Sequence, residues 1–287
     1  MRREEELVKL TGIEPRLPEK QRQLCATAGE KGVSTWLTTA PSISDGTVLN
    51  KIEFRDALSI RYGLPIADLP VSCVCGADMT VDHCMNCPAG GYPSARHDEV
   101  RDILADVLLD VVQDVEVEPL LTPLAGEQLV YKTANTNDDA RVDIRARGFW
   151  TRQQNAFFDV RVTHPKASLL SRSEVASQLR NHENMKRRTY LQRIVDVERG
   201  SFTPLVFTTN GQCGRECSAF IKALVQRLVQ KNSDLVYSSV MNRLRSKLSF
   251  ALLRWQITCL RGSRPSYRRN KSGDLPFAAR CRLASRR

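Results

Sequence analysis

Apolar positions along this chain recur with two different periods, and the switches between them mark out its elements. Val100, Ile103, Leu104, Val107, Leu108 and Val111 fall at i, i+3, i+4, i+7, i+8 and i+11, the stripe of an amphipathic helix, for which Ser94 is the expected N-cap. The period then becomes two. In Val115-Glu-Val-Glu-Pro119, Val115 and Val117 share one face while Glu116 and Glu118 share the other. Arg141-Val-Asp-Ile-Arg-Ala146 and Ala156-Phe-Phe-Asp-Val-Arg-Val162 alternate in the same way, so each reads as a half-buried strand. The stretch Arg147–Asn155 between them is short enough to make them neighbours.

A second helix is expected from about Ser173 to Val197. Thr203–Thr209 reads as a buried strand ended by Asn210-Gly211. A third helix follows, with Cys217, Phe220, Ile221, Leu224, Val225 and Leu228 as its stripe, and a fourth spans roughly Leu235–Cys259. Upstream, residues 1–30 look helical and charged, broken by Pro15 and Pro18. Lys51–Tyr62 reads as a short helix stopped by Gly63 and Pro65. The order from Ser94 is helix, strand, strand, strand, helix, strand, helix. This predicts an α/β fold whose central mixed sheet is flanked by helices, with an antiparallel meander first and a crossover to the last strand.

Composition changes this picture little, but charge placement does. Residues 241–287 hold 13 Lys and Arg against one acid, Asp274, while the remaining 240 residues hold 30 basic and 31 acidic side chains. The overall charge of +11 is therefore a C-terminal block, the usual mark of contact with a polyanion, nucleic acid most often. No apolar run approaches the ~20 residues a membrane helix needs. The start, Met-Arg-Arg-Glu-Glu-Glu, has no apolar core of a secretory signal, so the cysteines are expected to be reduced and to bind metal where they pair.

Four of the nine cysteines lie within Cys73–Cys87. The spacing Cys73-x-Cys75-x7-His83-x3-Cys87 offers three thiolates and an imidazole, a donor set suited to tetrahedral zinc. Thr80 and Gly90-Gly91 allow the turns of a knuckle. Cys84, beside His83, points elsewhere and is a bystander. Cys213 and Cys217 are expected to pack at a helix start. The competing reading of the cluster is a set of small buried thiols.

Asp143 and Asp159 fall on the polar faces of the two neighbouring strands, with the cation Arg161 two residues on. Two carboxylates at close quarters repel, and a divalent metal relieves the repulsion.

Together these residues resemble a known ordering. Cys73, Cys75, His83 and Cys87, then Arg96-His97, an amphipathic helix, Glu118-Pro119, an Asp-Ile strand and an Asp-bearing strand look like the C-terminal part of site-specific non-LTR (LINE-type) retrotransposon proteins. There a CCHC zinc knuckle precedes a restriction-like endonuclease of the PD-(D/E)XK class. Glu30-Lys-Gly-Val-Ser-Thr-Trp-Leu37, Phe54-Arg-Asp-Ala-Leu58, Ala146-Arg-Gly-Phe-Trp150 and Pro204-Leu-Val-Phe207 also resemble the C-terminal region of reverse-transcriptase-like polyproteins, so the likeness covers roughly residues 24–262. No polymerase palm signature is visible. Two departures stand out: Val142 replaces the proline before Asp143, and Arg161 stands where a lysine is expected. Lys186, in His182-Glu-Asn-Met-Lys-Arg-Arg-Thr-Tyr190, resembles the lysine of the helix that follows in such enzymes, and one turn separates it from both His182 and Tyr190.

The resemblance implies a restriction-endonuclease-like core over 94–232, preceded by an N-terminal region (1–70) and the knuckle (71–93), and followed by a helix (233–261) and a basic tail (262–287). It implies structural zinc and a catalytic magnesium held by Asp143 and Asp159 with Glu118 or Glu99, while Lys186 or Arg161 stabilises developing charge. His97 either positions a phosphate or hydrogen-bonds to backbone. Arg96, His97, Arg187 and Arg188, with Arg268, Arg269 and Lys271 in the tail, are the expected contacts to DNA, with RNA as an alternative polymer. The expected activity is DNA nicking that leaves a 3′ hydroxyl, in the nucleus after import from the cytoplasm. The alternatives are a nucleic-acid-binding zinc-knuckle protein on an inactive nuclease fold and a structural protein whose cysteines are merely buried.

Overall fold

A computed structural model of the chain describes residues 14–30, 32–165 and 172–262. The first part of the N-terminal region, and all of the basic tail beyond Gly262 with Arg268, Arg269 and Lys271, lie outside these residues. The helices are α1 (Glu19–Ala28), α2 (Thr35–Thr38), α3 (Lys51–Tyr62), α4 (Val81–Asn86), α5 (Tyr92–Leu109), α6 (Arg172–Asp196), α7 (Arg215–Lys231) and α8 (Tyr237–Arg261). The strands are β1 (Val115–Val117), β2 (Ile144–Arg147), β3 (Asn155–Thr163) and β4 (Ser201–Thr208).

The four strands lie in chain order in one sheet. β1 pairs with β2 and β2 with β3 antiparallel, whereas β3 and β4 are parallel and joined through α6. The result is a mixed α/β arrangement, as the alternation of periods predicts. Several ends also agree. α3 begins at a capping box in which Asn50 accepts from the Glu53 amide and Glu53 returns the bond, and it stops at Gly63 with φ 63°.

Apolar side chains are buried on both faces of the sheet. On one, Val100, Leu104 and Leu108 of α5, Phe220 and Leu224 of α7 and Leu248 of α8 pack against Ile144, Phe158, Val160, Leu205 and Phe207. On the other, Ile194 of α6 packs with Phe157 and Phe202, and Val175 and Leu179 pack with Val206. β3 is therefore covered on both sides, not half-buried: Phe157 and Asp159 are both buried. The crossover helix α6 supplies the second layer, which strand alternation alone does not reveal.

Two other expectations change. The chain bends at Asp143, so β2 begins only at Ile144 and Arg141 makes an isolated bridge to Leu120. Val142 leaves the face of Ile144 and packs with Leu121, Ala140 and Phe157. Helix α5 begins at Tyr92, so Ser94 lies inside its first turn. The cap is Gly91 at φ 69°, a conformation glycine adopts without a Cβ clash, and Pro93 suits the first turn because its missing N–H is not needed there.

Candidate functional site

The Cys/His cluster is built from two short pieces. Cys73 and Cys75 lie on a turn closed by the Ser72–Asp78 bridge, with the Gly76 amide donating to the Cys73 carbonyl at 2.8 Å. His83 lies in α4, whose first turn is capped by the Thr80 hydroxyl, and Cys87 ends it. The four donor atoms lie within 4.8 Å of one another. Cys73 Sγ and Cys75 Sγ each stand 3.8 Å from Cys87 Sγ, and His83 Nε2 is 3.3 Å from Cys75 Sγ. Zn–S bonds of about 2.3 Å in a tetrahedron place sulfurs about 3.8 Å apart, so the spacing fits a zinc ion. The Cys73 thiol is lowered to about 6, first by the Cys75 backbone amide and then by His83, which favours the thiolate a metal requires. Cys84 is fully buried against Met85, Cys259 and Leu260 and offers no ligand to the cluster, as the spacing suggests. A metal such as zinc can be held here by Cys73, Cys75, His83 and Cys87.

Asp143 and Asp159 meet in the sheet. Ile144 pairs with Phe158, so continuing the register sets Asp143 beside Asp159 at the start of β2. Asp143 Oδ2 accepts from the Val160 amide at 2.6 Å and stands 3.1 Å from His97 Nε2. His97 Nε2 is also 3.0 Å from the Val160 carbonyl, so α5 is tied to both aspartate strands. Burial opposes a charged His97 ring, but the hydrogen bond and charge of Asp143, then of Asp98, outweigh it and raise its pKa to about 9. His97 is thus an imidazolium at neutral pH.

Asp159 faces α6, whose Lys186 Nζ lies 2.6 Å from Asp159 Oδ2. Burial pushes the Asp159 carboxyl up to about 6; Lys186 opposes this and the neighbouring charge of Asp143 adds to it. Lys186 also lies over the Tyr190 ring at 5.8 Å. Tyr190 is raised by burial and then by Asp159. His182 sits 3.3 Å from the Thr163 hydroxyl and is lowered, first by burial and then by Arg161 and Lys186. Arg161 makes no hydrogen bond or ion pair with any described residue, and burial lowers its guanidinium against the pull of the Asp159 charge. Asp143, just before β2, and Asp159, buried on β3, are hard oxygen donors, and the charge of Asp143 adds to the upward push of burial on Asp159. Asp159 Oδ2 is buried and, apart from its ion pair with Lys186, has no hydrogen-bond partner among the described residues.

The remaining expected site residues are placed as follows. Glu118 follows β1 at φ 53°, and its amide donates to the Asp143 carbonyl at 2.9 Å, but its carboxylate is held by Arg101 of α5. Glu99 accepts from Trp255 Nε1 at 2.5 Å. Arg187 is engaged by both oxygens of Glu216, while Arg188 is exposed. Arg96 corrects an expectation: it is only 2% exposed and donates to the Met85 carbonyl at 3.2 Å, so it cannot touch a polymer outside the protein. Its position one turn into α5 aims it at the knuckle and not at solvent.

Sequence reasoning missed Arg193 and His164. Arg193, fully buried, donates to the carbonyls of Thr122, Asn135 and Asn137 and straps the long β1–β2 connection onto α6. His164, at the end of β3, joins Asp82 at 2.9 Å to the Thr209 hydroxyl at 2.8 Å. A lone histidine or an arginine in a basic helix carries no local signal for such long-range bonds. Compared with known families and curated proteins, the chain matches no family model and no curated relative.

Proposed function

We propose that this chain is a magnesium-dependent DNA endonuclease with a restriction-like core, of the kind found beside a zinc knuckle in LINE-type retrotransposon proteins. The observation that carries the reading is the convergence of Asp143 just before β2, Asp159 of β3 and Lys186 of the crossover helix, with Lys186 Nζ 2.6 Å from Asp159. A lysine beside a carboxylate pair is what phosphodiester hydrolysis needs: acids to hold a cation, and a positive group for the charge that develops on the phosphate. Lys186 would fill the place where Arg161 departs from the expected lysine, and Arg161, which makes no ion pair with a described residue, could clamp a phosphate oxygen.

Asp143 and Asp159 would hold the magnesium, which when bound polarises the phosphate and lowers the pKa of a water ligand. Lys186 pulls Asp159 toward its ionised form against the push of burial and offsets its charge. His97 restrains Asp143 from the opposite helix. Glu118, engaged by Arg101, would join only by leaving that ion pair. The Cys73/Cys75/His83/Cys87 site would hold zinc in a structural role, and the C-terminal block of positive charge would add sequence-independent contact to DNA. A nuclear location follows from that substrate.

One observation favours a second reading, a nucleic-acid-binding protein on an inactive nuclease fold: the acidic pair is already neutralised by Lys186 and His97. Nicking of supercoiled plasmid with magnesium separates the two. Wild type should nick while Asp143→Ala and Asp159→Asn should not. Equal nicking by all three, or by none, leaves the binding protein as the reading that stands.

A further inference from the structure

We propose that the metal in the Cys/His cluster sets the geometry of the acidic site, through two contacts made by the ligand-bearing helix α4. The first runs through Arg96. Met85 lies midway between the ligands His83 and Cys87, and its carbonyl accepts from Arg96 Nη2 at 3.2 Å. Arg96 is buried and, among the described residues, no carboxylate pairs with it and its Nε and Nη1 have no hydrogen-bond partner. A buried guanidinium with so few partners is costly to keep, so that single carbonyl bond has few substitutes to replace it. The next residue is His97, whose Nε2 is 3.1 Å from Asp143 Oδ2 and 3.0 Å from the Val160 carbonyl. The carbonyl of α4 is thus two side chains from Asp143.

The second contact runs through His164. Asp82, immediately before the ligand His83, pairs with His164 Nε2 at 2.9 Å, and His164 Nδ1 reaches the Thr209 hydroxyl at 2.8 Å. His164 directly follows β3, the strand that carries Asp159 and Arg161, and Thr209 directly follows β4. α4 therefore grips the helix that restrains Asp143 and the end of the strand that carries Asp159.

Helix α4 has only six residues, too few to persist without outside support. Its two metal ligands, tied to Cys73 and Cys75 across the ion, would be that support. Without the ion α4 keeps the packing of Cys84 and Met85 against Cys259 and Leu260 but loses the tie to Cys73 and Cys75, and the Met85 carbonyl and the Asp82 carboxylate are held less firmly. Arg96 and His164 are positioning residues in this scheme and touch no substrate. The scheme rests on the nuclease reading only for what the acidic pair does, because the contacts exist whatever its chemistry.

The test compares the full chain loaded with zinc and stripped by a zinc chelator, read by amide hydrogen exchange in peptides covering 94–100, 141–147 and 158–165. Zinc removal should speed exchange in all three by about 10-fold or more, as local opening does when a few restraints are lost. Arg96→Met should reproduce the change in 94–100 and 141–147, and His164→Gln that in 158–165, each keeping one zinc per chain. If zinc removal speeds exchange only in 72–87, the proposal is overturned, and this comparison on the wild-type chain decides alone should a variant fail to fold. Exchange needs no nucleic acid, so coupled exchange without plasmid nicking would sink the nuclease reading and leave the coupling standing.

Discussion

Lys186 and Asp159 form an ion pair of 2.6 Å between the crossover helix and the central strand, with Asp159 almost wholly buried. The pair does not hold Asp159 in the usual carboxylate range, because burial pushes its pKa to about 6 against the lysine's pull. A carboxyl whose folded-state pKa is raised favours the fold when protonated. That contribution is complete below its ordinary 3.8 and is lost as pH rises through about 6. The metal-free melting temperature should therefore carry a decline over that window, and Asp159→Asn should remove it. Lys186→Met should move the carboxyl further up, visible in the 13C shift of Asp159.

His97 gives the complementary window. Its pKa rises from 6.5 to about 9, so its stabilising contact with Asp143 is fully present below 6.5 and lost as pH climbs through 9. His97→Gln should flatten the melting curve between these values. A variant that still loses stability there would show that another group is responsible.

Charge placement at the site predicts unequal roles for its two cations. Lys186→Ala should lower nicking by roughly 100-fold or more, the usual loss when a group that stabilises transition-state charge is removed. Arg161→Ala should cost less, since that side chain forms no ion pair with a described residue and feels Asp159 only as a nearby charge. An Arg161 effect larger than the Lys186 effect would reverse the assignment.

At the Cys/His cluster, purified protein should contain one zinc per chain. Cys75→Ser should release it and lower the melting temperature. Cys75 is exposed, so its substitution removes a ligand without opening a cavity, and the lost stability is then that of the metal. Zinc well below one per chain in the wild type would leave the cysteines as packing residues.

Arg193 offers a prediction unrelated to chemistry. Its guanidinium serves three carbonyls of the β1–β2 connection from a fully buried position. Arg193→Met keeps much of the volume but leaves those acceptors unpaired, at about 1–3 kcal/mol each, so a loss of roughly 3 kcal/mol or more is expected in denaturant titration. The loss should come with faster proteolysis between residues 122 and 140.

Much of this is legible in the chain, and the reasons are local. A side chain's direction relative to its own axis follows from a period of 3.6 or 2, so the order of elements, the meander and the crossover can be read from spacing. Metal ligands within a 15-residue stretch can be found for the same reason: Cys73 to Cys87 lie close in space because they lie close along the chain. The bend at Asp143 was not legible. Val142 has the right character for the face of Ile144, and only the pocket formed by Leu121, Phe157 and Ile194 draws it away.

The sequence by itself determined the parts: an α/β order of elements, three thiols and an imidazole spaced to be able to share a metal, an aspartate on or beside each of two neighbouring strands, and a block of positive charge at the C-terminus. Only the tertiary structure decided which cation meets Asp159. Arg161 shares its strand face and was the local choice, yet successive residues on one face of a strand stand about 6–7 Å apart. Lys186 arrives from a helix that crosses directly over that face, which places its ammonium against the carboxylate. It was also tertiary packing that turned Arg96 inward and aimed His97 at Asp143. Local spacing sets where a side chain points along its own element, but what it meets depends on which other element packs there, and that is settled by burial across the whole chain.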